Sequence, residues 1–217
     1  MSDEYAELGD FEYERKFVVA QVPVAAVADP TPALLVQAYL FAGDGYAVRV
    51  RIQAPAAALA VGTLAPAELE PAVLIDAIGD AAELATMGAK GPAAGGTRYE
   101  AEREIDPLVA GQIIRRSEHV VAKRRYALWL GEDGWVIDEF LGADAPLVVA
   151  EVERGGPVTD LLIPDFCVTE VSEDDRFRNE TLAYAPYSTW CAEFEAELHR
   201  TGPSFMTTLG RNRIGPA

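Results

Sequence analysis

From residue 11 to about 154, apolar and polar positions alternate mostly with a period of two, the spacing of a half-buried strand, with turn signals between the runs. The runs are 11–20 (FEYERKFVVA), 36–42 (VQAYLFA), 46–53 (YAVRVRIQ), 82–90, 97–105, 119–130, 134–141 and 147–154. Gly43-Asp44-Gly45 between the second and third runs, and Gly-Glu-Asp-Gly between the sixth and seventh, are hairpin signals. Antiparallel β structure is therefore the dominant expectation. Three stretches change to a helical period. Asp106-Pro107 supplies an N-cap and a first-turn proline ahead of Leu108 to Arg116, with Arg115 and Arg116 suited to the dipole at its end. Residues 66–79 read as a second helix with Gly79 as its C-cap, and Trp190, Phe194 and Leu198 at a spacing of four mark a third, stopped by Gly202-Pro203.

The chain of 217 residues is 50% apolar and 24% charged, so a single domain is expected over 11–202. It would be preceded by an acidic tail over 1–10 and followed by a loose tail over 203–217, with 54–81 an Ala/Pro-rich excursion from the sheet. Thirty-five acidic residues against 18 basic ones give a formal charge of −17, which repels a phosphate backbone and argues against nucleic acid as a partner. The acidic start is unlike a secretory signal and no apolar run has the length of a membrane span, so a cytoplasmic protein with no membrane partner is expected. Two cysteines without a CxxC, and two histidines, exclude a thiolate zinc finger; any metal here would be held by oxygen.

Residues two apart on a strand share a face. Glu12, Glu14 and Lys16 thus project together, away from Phe11, Tyr13 and Phe17. The same pattern recurs with Arg49 and Arg51, with Arg98, Glu100 and Glu102, with Lys123 and Arg125, and with Glu151 and Glu153. The ordinary account is a set of solvated outer faces. Two features count against it: the ladders are sorted by sign, whereas surface charges are normally interspersed, and the opposite faces carry aromatic and β-branched residues that the three helices can cover. A sheet closed into a barrel with its charges inside requires partners for those ions. A polyphosphate with a divalent metal supplies both signs, since arginine and lysine match phosphate oxygens and carboxylates are hard ligands for Mg²⁺ or Mn²⁺.

Glu12-Tyr13-Glu14-Arg15-Lys16 resembles the ExExK signature of CYTH proteins, the triphosphate tunnel metalloenzymes, and its companions follow in the family's order. They are Val-Arg-Val-Arg (Arg49, Arg51), Ala-Lys-Gly-Pro (Lys90), Arg-Tyr-Glu-Ala-Glu (Arg98, Glu100, Glu102), Ala-Lys-Arg-Arg-Tyr (Lys123, Arg125), Trp-Val-Ile-Asp (Asp138), Ala-Glu-Val-Glu (Glu151, Glu153) and a run holding Glu170, Arg176 and Asn179. The resemblance covers roughly 11–183. It implies a mainly β fold, a closed eight-stranded antiparallel barrel with flanking helices, whose tunnel binds a triphosphate with Mg²⁺ or Mn²⁺. Lys16, Arg49, Arg51, Lys90, Arg98, Lys123, Arg125 and Arg176 would hold phosphates. Glu12, Glu14, Glu100, Glu102, Glu151, Glu153 and Asp138 would form the metal shell or orient the basic set. Lys16 and Glu14 are the candidate catalytic residues, Lys16 as the group polarising the attacked phosphate. The implied activity is metal-dependent hydrolysis of a small triphosphate, inorganic triphosphate first, with ATP or thiamine triphosphate as other substrates. A class IV-type adenylate cyclase, a thiamine triphosphatase and a noncatalytic polyphosphate- or nucleotide-binding module are the alternatives, and a homodimer is left open.

Other residues carry plainer expectations. Glu170 and Asn179 would close the tunnel, although Asp174 as N-cap of the helix containing Asn179 is the simpler reading. His119 and His199 are expected at a strand start and a helix C-terminus. Cys167 and Cys191 are expected to be packing residues.

Overall fold

The computed structural model describes residues 11–29, 31–59, 70–92 and 97–216, with the side chains of residues 11, 12, 97 and 98 outside that set. The eight strand-like runs all form strands: β1 (Phe11–Val19), β2 (Ala33–Gly43), β3 (Tyr46–Pro55), β4 (Leu84–Lys90), β5 (Thr97–Glu104), β6 (Val120–Leu130), β7 (Asp133–Phe140) and β8 (Val148–Arg154). Asp44 and Gly45 both take positive φ, 52° and 82°, the turn that suits the twist of the β2–β3 hairpin. Three short strands escape the alternation: β9 (Leu162–Pro164), β10 (Cys167–Glu170) and β11 (Arg213–Gly215).

The main sheet has nine antiparallel strands in the order β10-β1-β5-β4-β3-β2-β6-β7-β8, and β1 pairs also with β8, the strand at the far end. The expected eight strands are joined by a ninth, because β10 adds to β1 at Phe17–Val19 beyond its short pairing with β5 at Phe11–Tyr13, and the observed architecture is a nine-stranded antiparallel sheet where a closed eight-stranded barrel was expected. The register sets the charged positions against one another: Lys16 opposes Glu151, Glu14 opposes Glu153, Lys90 opposes Glu100 and Arg125 opposes Asp138. One face of the sheet therefore gathers the ionic ladders.

The other face is packed. α2 (Pro71–Ile78) and α3 (Pro107–Ile114) set Leu74, Ile75, Ile78, Ala110 and Ile114 against Val36, Val50 and Ile52 of β2 and β3. Asp106 caps α3, accepting from the amides of Leu108 (2.9 Å) and Val109 (3.0 Å), as the sequence indicates. Gly79, at φ 45°, follows α2; residues 66–69 of the expected helix lie outside the described residues. A second cluster joins Phe17, Trp135, Ile137, Ala150 and Val152 to Ile163 and Cys167. In a third, Phe194 of α5 (Cys191–Thr201) packs edge-on against Phe177 at 4.9 Å, so the Trp190, Phe194, Leu198 stripe is core contact.

Segment 203–216 is not a loose tail. β11 pairs in parallel with β9, and Phe205 lies 6.4 Å from the Phe17 ring. Two helices too short to show a period also appear, α1 (Val24–Val27) and α4 (Asn179–Tyr184). Asp174 does not cap α4, whose N-cap is Arg178; it caps the single 3-10 turn at 175–177. Among the described residues no helix is long and apolar enough to cross a membrane.

Candidate functional site

The ionic face encloses a cavity of about 150 Å³. Glu14 and Lys16 reach it from β1, Arg49 and Arg51 from β3, Lys90 from β4, Lys123 and Arg125 from β6, and Glu151 and Glu153 from β8. Gln37 and Tyr39 of β2 also line it, with Ser172, Asp174, Arg178, Asn179 and Glu180 across one side. Alternation brings the strand-borne charges together, because each occupies the phase opposite the packed core, while Asp174, Arg178 and Glu180 come from the turn and helix at 174–184.

The cations are held by carboxylates, not solvated. Lys16 Nζ lies 3.0 Å from Glu151 and 3.3 Å from Glu14. Burial opposes its charge, but those two carboxylates outweigh burial and hold its pKa above the ordinary lysine value. Arg49 reaches Glu100 (2.5 Å) and Glu102 (2.6 Å), Arg51 reaches Glu102 (2.8 Å), and Lys90 pairs with Glu100. Gly88 makes room for this: a Cβ there would sit 2.9 Å from Glu102 Cγ. Asp138, 0% exposed, takes Lys123 (2.5 Å) and both ends of the Arg125 fork (2.7 Å each). Burial, aided by Arg125, lowers Lys123 to a pKa of about 8 against the pull of Asp138. Glu151 is pushed the other way: burial would raise it, but Lys16, Lys123 and Arg125 carry it well below the carboxylate range.

Six of the eight proposed phosphate-binding residues thus face the cavity. Arg176 does not; it pairs with Asp174 (2.6 Å) and Glu197 (3.1 Å) over the Trp190 ring in a separate cleft. Arg98 opposes Glu12 in the β1–β5 register, and the side chains of both lie outside the described set. Of the acidic candidates, Glu14, Glu151 and Glu153 line the cavity, while Glu100, Glu102 and Asp138 stand behind it against the basic residues. Asn179 accepts from Lys123 at 3.3 Å. Glu170 is turned away from the cavity and binds the Arg15 guanidinium (2.8 and 2.7 Å). Arg178, Gln37 and Tyr39 went unread in the sequence. The strand phase of Gln37 and Tyr39, shared by their β3 partners Arg51 and Arg49, was the available signal.

Glu153 supplies the test for a metal. Its pKa is raised by burial and then by Glu14, Glu151 and Glu100, so carboxylate charge accumulates at that end with too little compensation. Such a donor set suits a hard divalent cation. Among the described residues no group of three His, Cys, Asp or Glu is placed to hold a metal by itself. A divalent cation such as Mg²⁺ takes one or two carboxylates and completes its shell with water and phosphate oxygens.

A charge-lined cavity on one face of this antiparallel sheet, carrying the ordered motif set, is the arrangement that the resemblance to CYTH proteins of the triphosphate tunnel kind implies. The comparisons agree. A curated relative, the inorganic triphosphatase of Acetivibrio thermocellus, is 34% identical over 103 residues, 46% of this chain; the chain spans 66% of that relative's length. The crystal structure of the inorganic triphosphatase NE1496 superposes with a TM-score of 0.51 at 25% identity, over 79% of this chain and 93% of that one. A second structure, of the hypothetical protein NE1496, has the same score and identity over 79% and 97%. No family model matches the chain.

Proposed function

We propose that the protein is a divalent-metal-dependent triphosphatase, with inorganic triphosphate its first substrate, and that the β1–β8 pairing closes the strands into an eight-stranded tunnel around it. The observation that carries this reading is the burial of cations around a small cavity: Lys16, Arg49 and Lys123 are 9%, 6% and 3% exposed and all face it. Seven basic and five acidic side chains line the space. Buried cations that converge on one small space, each backed by a carboxylate, suit a compact polyanion accompanied by a divalent cation. The named activity of the A. thermocellus relative and of NE1496 supports the same chemistry.

One or two of Glu14, Glu151 and Glu153, with water and phosphate oxygens, would hold Mg²⁺ or Mn²⁺, a Lewis acid that would neutralise phosphate charge as the anhydride breaks. The protein's own part is positioning. Arg49, Arg51, Lys90 and Arg125 fix the phosphates from three sides of the sheet, while Lys16, kept protonated by Glu14 and Glu151, withdraws charge from the phosphate under attack. The acidic wall also speaks against a pure anion binder, in which carboxylates facing the ligand would only repel it.

The test is phosphate release from inorganic triphosphate, ATP and thiamine triphosphate with Mg²⁺, Mn²⁺ or chelator. Metal-dependent release, fastest from inorganic triphosphate, is the expected result. Release of pyrophosphate with cyclic AMP from ATP would favour a cyclase, and tight binding without turnover would leave a binding module.

A further inference from the structure

Lys16 is held from behind by the motif run that contains Glu170 and, through it, by a segment beyond the motif set. Its amide donates to Ser172 Oγ (3.0 Å), and its carbonyl accepts from the Val171 amide (2.9 Å). The Ser172 hydroxyl donates in turn to Glu170 Oε1 (2.8 Å), which is clamped by both ends of the Arg15 guanidinium. Arg15 is 1% exposed and lies in the core phase of β1, the side opposite its neighbour Lys16. Its remaining amino group donates to Asn212 Oδ1 (2.8 Å), and Met206 N–H donates to Glu170 Oε2 (2.8 Å). Asn212 also donates through Nδ2 to the Met206 carbonyl (2.7 Å) and accepts from the Leu161 amide (3.1 Å). The chain of bonds is continuous from Asn212 to the backbone of Lys16.

We propose that segment 204–212 is a working part of the site, and that Asn212 is a positioning residue that sets Lys16 through Arg15, Glu170 and Ser172. A buried guanidinium forms its bonds in one planar arrangement, so it passes a displacement on instead of absorbing it. Without the Asn212 acceptor, Arg15 loses one of its three polar partners and the carboxylate of Glu170 is free to turn. Ser172 then follows Glu170, and the Lys16 amide loses its fixed acceptor. This role rests on the triphosphatase reading for its kinetic consequence only; the hold on Lys16 stands apart from it.

The experiment compares Asn212→Ala, Asn212→Asp and Ile163→Val. Ile163, fully buried beside β11, serves as a packing control with no bond to the network. Asn212→Ala is expected to lower kcat for inorganic triphosphate by about tenfold or more, as small misplacements of a reacting group do, with KM within about threefold because the other cations are untouched. Hydrogen exchange at the Lys16 amide should quicken by about tenfold in the same variant. Asn212→Asp, which keeps the acceptor for Arg15 and gives up only the donation to the Met206 carbonyl, should recover most of both. Ile163→Val should lower the melting temperature and move neither. Wild-type kcat and Lys16 exchange in Asn212→Ala, or equal changes in Ile163→Val, would overturn the inference. If the wild-type protein releases no phosphate, the triphosphatase reading fails by itself, and the exchange rate at Lys16 alone decides the positioning role.

Discussion

Asp138→Asn isolates the counter-charge behind two of the cations proposed to bind phosphate. The wild-type carboxylate is fully buried, with Lys123 at 2.5 Å and the Arg125 fork at 2.7 Å. Asparagine keeps the shape but removes the charge and turns an amide N–H₂ toward a donor. One amide oxygen remains to accept from either Arg125 or Lys123, and beyond it Lys123 has Asn179 at 3.3 Å and Arg125 has Glu151 at 3.2 Å. Breaking a buried pair by removing one partner costs about 3–5 kcal/mol, and each kcal/mol moves the melting temperature of a chain this size by about 2–4 °C. A fall of about 6–20 °C is expected at pH 7. Lys123, already at a pKa of about 8 from burial, loses the carboxylate that supports its charge and becomes largely neutral at that pH. Inorganic triphosphate restores the missing negative charge. Its stabilising shift, read by thermal unfolding with and without the ligand, should be larger in the variant than in the wild type. A loss under about 3 °C with equal ligand shifts would refute the idea that Asp138 sustains these cations.

Asp144 gives a pH-dependent prediction. Burial, partly offset by the Tyr187 amide, raises its pKa to about 6. The fold disfavours its charged form, so stability falls as pH rises from about 4 to 6 and stays lower above. Asp144→Asn, which keeps an acceptor for Tyr187, should gain up to about 3 kcal/mol at pH 8 and almost nothing at pH 4, measured by urea unfolding; no gain at pH 8 would contradict the assignment. Arg176 and Arg178 differ by two positions but face different clefts. Arg178→Ala should raise KM for triphosphate by about five- to tenfold, as loss of one charged contact does, while Arg176→Ala leaves it within about twofold. Equal effects in steady-state kinetics would mean that the cavity is wrongly mapped.

The eight long strands and the shared face of their charges were legible because alternation over seven or more residues is a strong signal. The helix at 107–114 was equally plain, since its cap and first-turn proline are local chemistry. β9, β10 and β11 were not legible: three or four residues cannot establish a period, and their pairings join positions far apart in sequence. For the same reason segment 203–216 read as loose, although Asn212 and Met206 are bonded into the interior. Arg15 shows the limit of reading faces by hydropathy. It lies in the core phase between Tyr13 and Phe17, where Glu170 of β10 and Asn212 make its charge tolerable. Arg176 was chosen over Arg178 from the motif run, and a 3-10 turn at 175–177 sets the two on different sides.

The central claim is tested most directly by Lys16→Ala, assayed for metal-dependent phosphate release from inorganic triphosphate with the melting temperature followed in parallel. Lys16 touches the cavity and its partners Glu14 and Glu151, and it is not part of the packed clusters on the other face. The account predicts that turnover falls by about a hundredfold or more, as when one transition-state donor is removed, while the protein stays folded. A folded Lys16→Ala protein that releases phosphate at the wild-type rate would contradict it.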